Sequence, residues 1–242
     1  MTSAKHDAGR RGTRKYEAIR QELRSRILSG RYEPGDPMPE RVIAEELAVS
    51  RVPVREALSQ LERDGLVTIA AKRGAQVRRF SAENMQSLYE AREALEGMAA
   101  RLAAERVDDA YLAPFIVQFE GLVDGAIRMD PAEESELGND FHDAVIKGSR
   151  NATVIELTST IHDRVRLCRR LTYGHASPSG ARRAAEEHLT IARAISRGDP
   201  GGAEHAMRTH VSSWARFLRS HLAGDSPQPS TTPSGAERQL SQ

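Results

Sequence analysis

Across 242 residues, hydrophobic side chains make up 39% and aromatics only 5%, a balance that suits packed helices rich in Ala and Leu better than an aromatic β-sandwich. No apolar run approaches the ~18 residues that a membrane span needs, and the opening MTSAKHDAGRRGTRK lacks the apolar core of a secretory signal. Cys168 is the lone cysteine, which excludes an intramolecular disulfide; together these features predict a cytoplasmic chain with no membrane segment.

The formal net charge of +1 conceals an asymmetry. Residues 1–80 hold 17 Lys/Arg against 11 Asp/Glu, a net of +6, and the remaining residues hold 18 against 23, a net of −5. A basic module joined to an acidic one assigns a polyanionic partner to the first.

Taken in order, residues 1–13 are polar and aperiodic and read as a disordered basic tail. Tyr16, Ile19, Leu23 and Ile27 step by three and four, predicting an amphipathic helix that stops at Gly30. YEPGDPMPE breaks the pattern. A short helix is expected over 40–48, and Ser50 is placed to cap a third, with Pro53 tolerated in its first turn. The buried arc of that third helix is Val54, Ala57, Leu58 and Leu61. LVTIA and AQVRRF then read as two short strands around AKRG, with Gly74 supplying the turn. Helix, helix, helix, hairpin is the order of a winged helix-turn-helix, assigned to 14–80. From Ser81 six helices are predicted, at roughly 83–107, 109–128, 131–148, 152–172, 181–197 and 201–222. They make 81–223 an all-α bundle for effector binding and dimerisation. The Ser-, Pro- and Thr-rich stretch 224–242 reads as a disordered tail. The fold class is therefore mainly α, a winged helix-turn-helix followed by a helical bundle.

In a helix-turn-helix the second helix lies in the major groove, where base edges carry a distinct donor and acceptor code. Arg51 and Arg55 fall one turn apart on the third helix, outside its buried arc, and an Arg fork suits guanine or phosphate. Arg41 opens the preceding helix, where backbone phosphate is met. Lys72 and Arg73 sit at the hairpin tip, placed for the neighbouring minor groove.

The stretch Tyr16 to Val77, above all SRVPVREAL followed by LERDGLV and then RGAQV, resembles the GntR family of bacterial regulators. The resemblance implies double-stranded DNA as partner, with contacts from Arg41, Ser50, Arg51, Arg55 and the wing glycine, Gly74. Val52 stands where Thr is common, and Ala48 where Gly often makes the turn.

The remainder, through AREALEGMAARLAAE, NDFHDAVIKGSRN and EEHLTIARAISRGDPGGAEHAMRTHV, resembles the FCD ligand-binding domain of the FadR subfamily, in its six-helix, VanR-like form. His188 and His210 are symmetric about residue 199 in the GDPGG turn, so an antiparallel hairpin holds them within ~1.5–3 Å in height. His142 lies on a third helix. The resemblance implies a divalent metal held by three His and by an Asp one turn before the first. Three neutral imidazoles suit Zn or Ni. Ordinary buried histidines are the competing reading. Here Gly138 stands where the family pattern has Asp or Asn, and Asn139 is the neighbouring candidate for a neutral oxygen ligand.

Arg92 falls inside the apolar stripe of its helix and so needs an anionic partner. Two are available: Glu96 one turn on, or the carboxylate of an effector. The expected function is a ligand-responsive transcriptional regulator, a homodimer on a palindromic operator with a small organic acid as effector. Alternatives are a sensor domain reduced to a dimer clamp, or a metal-dependent hydrolase with a DNA-binding appendage. The hydrolase lacks an acid spaced to serve as general base, so no enzyme is expected.

Overall fold

In the computed structural model the backbone is described for residues 3–170 and 178–223, and side chains for 16–169 and 180–217. The tail expected at 224–242 and most of the GHASPSG segment lie outside these residues. The head begins with α1 (Ser3–Leu28), α2 (Glu40–Glu46) and α3 (Arg51–Arg63). Ile19, Leu23 and Ile27 of α1 are buried against Ile43 and Ala44 of α2 and the arc Val54, Ala57, Leu58, Leu61 of α3. The predicted 3-4 spacings are thus the packing spacings.

Helix α1 starts earlier than its apolar period, at Ser3, so the segment read as a tail is drawn as helix from there on. Propagation from the nucleated apolar turns costs little at the Ala, Arg and Lys positions and no proline interrupts, whereas Gly9 and Gly12 oppose it by about 1 kcal/mol each.

A hairpin of β1 (Val67–Ala70) and β2 (Gly74–Val77) completes the head, in antiparallel register with Val67 opposite Val77 and Ala70 opposite Gly74. The three-residue tip is followed by Gly74 at φ +71, the left-handed position such loops reserve for Gly. The proline-rich stretch before α2 is not a bare break. Gly35 and Met38 donate backbone hydrogen bonds to Val77 and Ala75, at 2.9 and 2.8 Å, which ties the helices to the hairpin.

The bundle consists of α4 (Ala82–Arg106), α5 (Ala113–Asp124), α6 (Pro131–Gly148), α7 (Ala152–Arg170), α8 (Pro178–Ser196) and α9 (Pro200–Ala223). Ser81 caps α4 by accepting from the Asn84 backbone N–H at 3.1 Å. Asp130 and Glu133 close a capping box over α6, with Pro131 in the first turn. Helix α5 is shorter than the expected 109–128. Pro114 fixes its first turn, and Gly125, left-handed at φ +76, ends it. The bundle core gathers Tyr89, Phe119, Phe141, Leu189, Ile191 and Met207. Among the described residues no helix is long and apolar enough to cross a membrane.

Head and bundle touch through α7. Its Leu167 is fully buried in the head's core rather than the bundle's. Asp163 pairs with Arg24 of α1, and the Arg164 Nε donates to the Asp64 carbonyl at 2.9 Å.

Candidate DNA-reading surface and histidine centre

Burial of Val54, Ala57, Leu58 and Leu61 turns the opposite side of α3 outward, and Arg51 and Arg55 are exposed there. Both lie against one acid at the start of α2. Arg55 grips Glu40 with two hydrogen bonds of 2.9 Å, and Arg51 approaches the same carboxylate at 3.5 Å. Arg55 foremost, then the Arg51 charge, hold the Glu40 carboxyl below its ordinary range against the opposing effect of burial. Arg41 is exposed and bonded to Glu45 at 2.8 and 2.9 Å. Exposed pairs of this kind contribute little stability, so phosphate or a base edge can displace the acid at small cost.

Ser50 occupies the N-cap position of α3, but its hydroxyl makes no cap bond; the capping expected of it is positional only. It remains exposed, as do Lys72, Arg73 and Gly74 at the wing tip. Ala48 has φ +51, the conformation for which Gly is suited at this turn.

In the bundle, α6, α8 and α9 bring His142, His188 and His210 together, each 2–4% exposed. Their Nε2 atoms lie 3.3, 3.3 and 3.2 Å from one another. Two of the three outer nitrogens face carboxylates. His210 Nδ1 bonds Glu187 at 2.7 Å, and His142 Nδ1 stands 2.7 Å from Glu96 Oε2, though out of line for a good hydrogen bond. A carboxylate on Nδ1 keeps the proton there and turns the Nε2 lone pair inward. Burial, above all, keeps the rings neutral: His142 is pushed down to about 3, His188 well below its ordinary value, and His210 is also lowered.

Inward lone pairs at such separations repel unless a Lewis acid sits among them. Nitrogens ~2.0–2.1 Å from a tetrahedral zinc stand roughly 3.3–3.4 Å apart, which the observed spacing matches. The residues present therefore fit a divalent ion.

The other expected ligands are placed differently. Asn139 is buried, but its Oδ1 accepts a 2.7 Å bond from Arg169 Nη1 and its Nδ2 donates to Glu136. A Cβ built on Gly138 would lie 3.1 Å from His188 Cε1 and 3.3 Å from Arg169 Nη2. Position 138 does face the centre, and a guanidinium shares that place. Arg92, 3% exposed, donates to Glu96 at 2.7 Å, the nearer of its two expected partners in sequence. Burial would lower the Arg92 pKa, but Glu96 and Tyr89 hold it above the ordinary value. Glu96 thus links Arg92 to His142.

Beside the centre, α5 to α9 border a half-open cavity of about 410 Å³ whose wall includes the apolar Phe119, Leu122, Ile127, Met129 and Trp214 and the charged Arg128, Glu134 and Arg182, with His188 and Arg169 also lining it. Sequence reasoning misses Glu40, Glu187 and Arg169 as site residues. Glu187 is within its reach, because the symmetry about residue 199 that pairs His188 with His210 also sets its neighbour opposite the second helix of the hairpin. No comparable signal marks Arg169.

Residues 15–77 match the bacterial regulatory proteins of the gntR family, and residues 87–213 match the FCD domain. The Nta operon transcriptional regulator of Aminobacter aminovorans is 31% identical, over 68% of this chain and 75% of that protein. The HTH-type transcriptional repressor RspR of Escherichia coli K12 is 28% identical, over 81% and 86%. Among solved structures, E. coli McbR/YncC superposes with a TM-score of 0.70 at 20% identity, over 86% of this chain and 98% of that one. With one DNA-binding and one FCD match in the order the fold presents them, the chain belongs to the GntR family of bacterial transcriptional regulators and is not an enzyme.

Proposed function

We propose that this regulator binds a palindromic operator in the cytoplasm as a homodimer, and that a small organic acid, received beside a divalent metal, controls it. The observation that carries the sensor half is the set of three Nε2 atoms within 3.3 Å of one another, backed by Glu96 and Glu187. His142, His188 and His210 hold the ion, with zinc or nickel suited to the donors. The ion supplies a Lewis-acidic seat for an oxygen of the effector. Glu187 orients His210, and Arg92 positions Glu96 against His142.

At the operator, Arg51 and Arg55 exchange Glu40 for base edges and phosphate. Arg41 and Ser50 hold the backbone, and Lys72, Arg73 and Gly74 bring the wing to the flanking groove. Two-fold operators need two heads, which supports the dimer. RspR is by its name a repressor, and repression relieved by the effector is the sense we assign here.

The test joins two measurements on the purified full chain. Selection from random duplexes should return an inverted repeat, with a complex of two chains per site. Metal analysis should find about one zinc or nickel per chain, lost in His142→Ala, His188→Ala and His210→Ala. An asymmetric site bound by one chain overturns the dimeric reading; parent protein that takes up no divalent ion overturns the metal reading.

A further inference from the structure

The outermost line of α3 is not basic. At ~100° per residue, Val52 falls roughly 170° from the middle of the buried arc Val54, Ala57, Leu58 and Leu61. Glu56, one turn on, lies about 150° from it, whereas Arg55 and Arg51 lie only about 110° and 70° away, on the shoulder that meets Glu40. Val52 is 62% exposed, and Glu56 is exposed beside it. A valine so exposed adds little to the core, and an acid next to it repels phosphate. This line of the helix suits base edges, while the two arginines reach for the DNA backbone and neighbouring bases from the shoulder.

Base edges in the major groove differ in what they offer a side chain that has neither donor nor acceptor. Guanine shows N7 and O6, adenine N7 and its N6 amino group, and cytosine its N4 amino group; thymine alone adds a C5 methyl. Against Val52, the polar groups of the first three lose water and gain no partner, an unfavourable exchange. The thymine methyl loses only apolar hydration, a favourable one.

Position and stiffness favour the same contact. Val52 is the second residue of α3, in the part of a recognition helix that approaches base edges. Pro53 follows with its φ fixed, and a β-branched side chain in a helix keeps nearly one χ1 rotamer. The two methyls are therefore held in place before DNA arrives, and little side-chain entropy is lost on contact.

We infer that Val52 is a specificity-determining residue: its methyls pack on the C5 methyl of one thymine in each operator half-site. The same contact accepts 5-methylcytosine, whose methyl occupies that place in the groove. The inference deepens the operator reading above and rests on α3 lying in the major groove; it is independent of metal and effector.

The test uses the full chain and the strongest duplex returned by selection from random sequences. Each thymine is replaced in turn by deoxyuridine, which removes the C5 methyl and keeps every donor and acceptor. Affinity should fall about three- to fivefold at one thymine per half-site, the worth of one buried methyl, and change little at the others. A cytosine–guanine pair at that place should bind more weakly still, and 5-methylcytosine there should regain about three- to fivefold. Val52→Ala should weaken operator binding by up to about tenfold, for two methyls lost. Its salt dependence should stay that of the parent, since no phosphate contact goes. The deoxyuridine penalty at that thymine should vanish in Val52→Ala, the signature of a direct contact. The substitution removes an exposed side chain and raises helix propensity, so the head keeps its fold, with circular dichroism as the check.

A deoxyuridine penalty of the same size in Val52→Ala, or a parent for which no thymine methyl matters, overturns the inference and leaves the operator reading standing. So does Val52→Ala that binds the operator as the parent does, or that weakens on random duplex by the same factor. A chain that selects no sequence overturns the operator reading and the inference with it.

Discussion

Single residues in this chain carry conformational and electrostatic features with measurable consequences. Ala48 is exposed and left-handed at φ +51, a conformation that disfavours a Cβ by about 1 kcal/mol or more. Ala48→Gly relieves it without losing a buried contact, although the unfolded chain gains some freedom. The net expectation is a gain of up to about 1 kcal/mol, seen as a small rise in thermal midpoint with DNA affinity retained; a lower midpoint counts against strain at the turn. Glu40 is a different case. Removing its charge in Glu40→Gln frees Arg51 and Arg55 from a competitor and lessens repulsion of phosphate. Affinity for random duplex should rise several-fold with a steeper salt dependence, so discrimination between operator and random DNA falls. Unchanged binding to random duplex in gel shifts would mean that the acid does not restrain the two arginines. At this scale the sequence is only partly legible. His188 and His210 can be paired because the symmetry of a helical hairpin fixes their heights from spacing alone, whereas His142, on a third helix, joins them only through the family resemblance. The ring orientation set by Glu187, and the guanidinium of Arg169 in the space beside Gly138, depend on helix rotations that no periodicity states.

Among the elements, α7 joins the two halves of the molecule. Thr158, Ile161, Val165 and Arg169 line the space beside the histidines, whereas Asp163, Arg164 and Leu167 meet the head. At ~100° per residue these sets fall on opposite sides of the helix. Any displacement of Arg169 by a ligand is thereby carried on the same rigid element that seats Leu167 in the head. Leu167→Ala removes a side chain with no exposure, and such a loss costs about 2–5 kcal/mol. Chemical denaturation should show that loss in the transition that reports the head. A cost near zero would mean the head's core closes without α7. The helices themselves are readable from period and caps, including Asp130 and Pro131 at the start of α6. Partnership is not: the Leu167 of a bundle helix looks in sequence like any other core leucine. The ends of α5 depart from expectation because Pro114 and Gly125 outweigh the apolar residues beyond them.

For the whole molecule, the basic head and acidic bundle seen in the charge count become a DNA-reading surface and a buried charged centre, and that centre governs the response to acid. His142, His188 and His210 lie below their ordinary pKa chiefly because burial opposes the charged ring. In the unfolded chain each takes up a proton as pH falls through about 6.5. The folded, metal-free chain does not, and for His142 the resistance extends down to about 3. Within that window the unfolded state binds more protons, so stability falls as pH falls. Each such histidine contributes a slope of up to about 1.4 kcal/mol per pH unit. Glu96 acts with the same sign in a lower window: although burial opposes its ionisation, Arg92 and His142 hold it well below 4.5, so its contribution is present above the ordinary carboxylate range and fades as pH drops below it. Chelator-treated protein should therefore be nearly constant in stability from pH 8 to 7, lose several kcal/mol between about pH 6.5 and 5, and weaken further below 4.5. Denaturant midpoints across this range test the expectation, with His188→Phe as the comparison, since replacing one of the lowered rings by an apolar one should shallow the slope above pH 5. A flat profile from pH 7 to 5 would show that the histidines take up protons as readily in the folded chain as in the unfolded one, and that their inward lone pairs are not held ready for an ion.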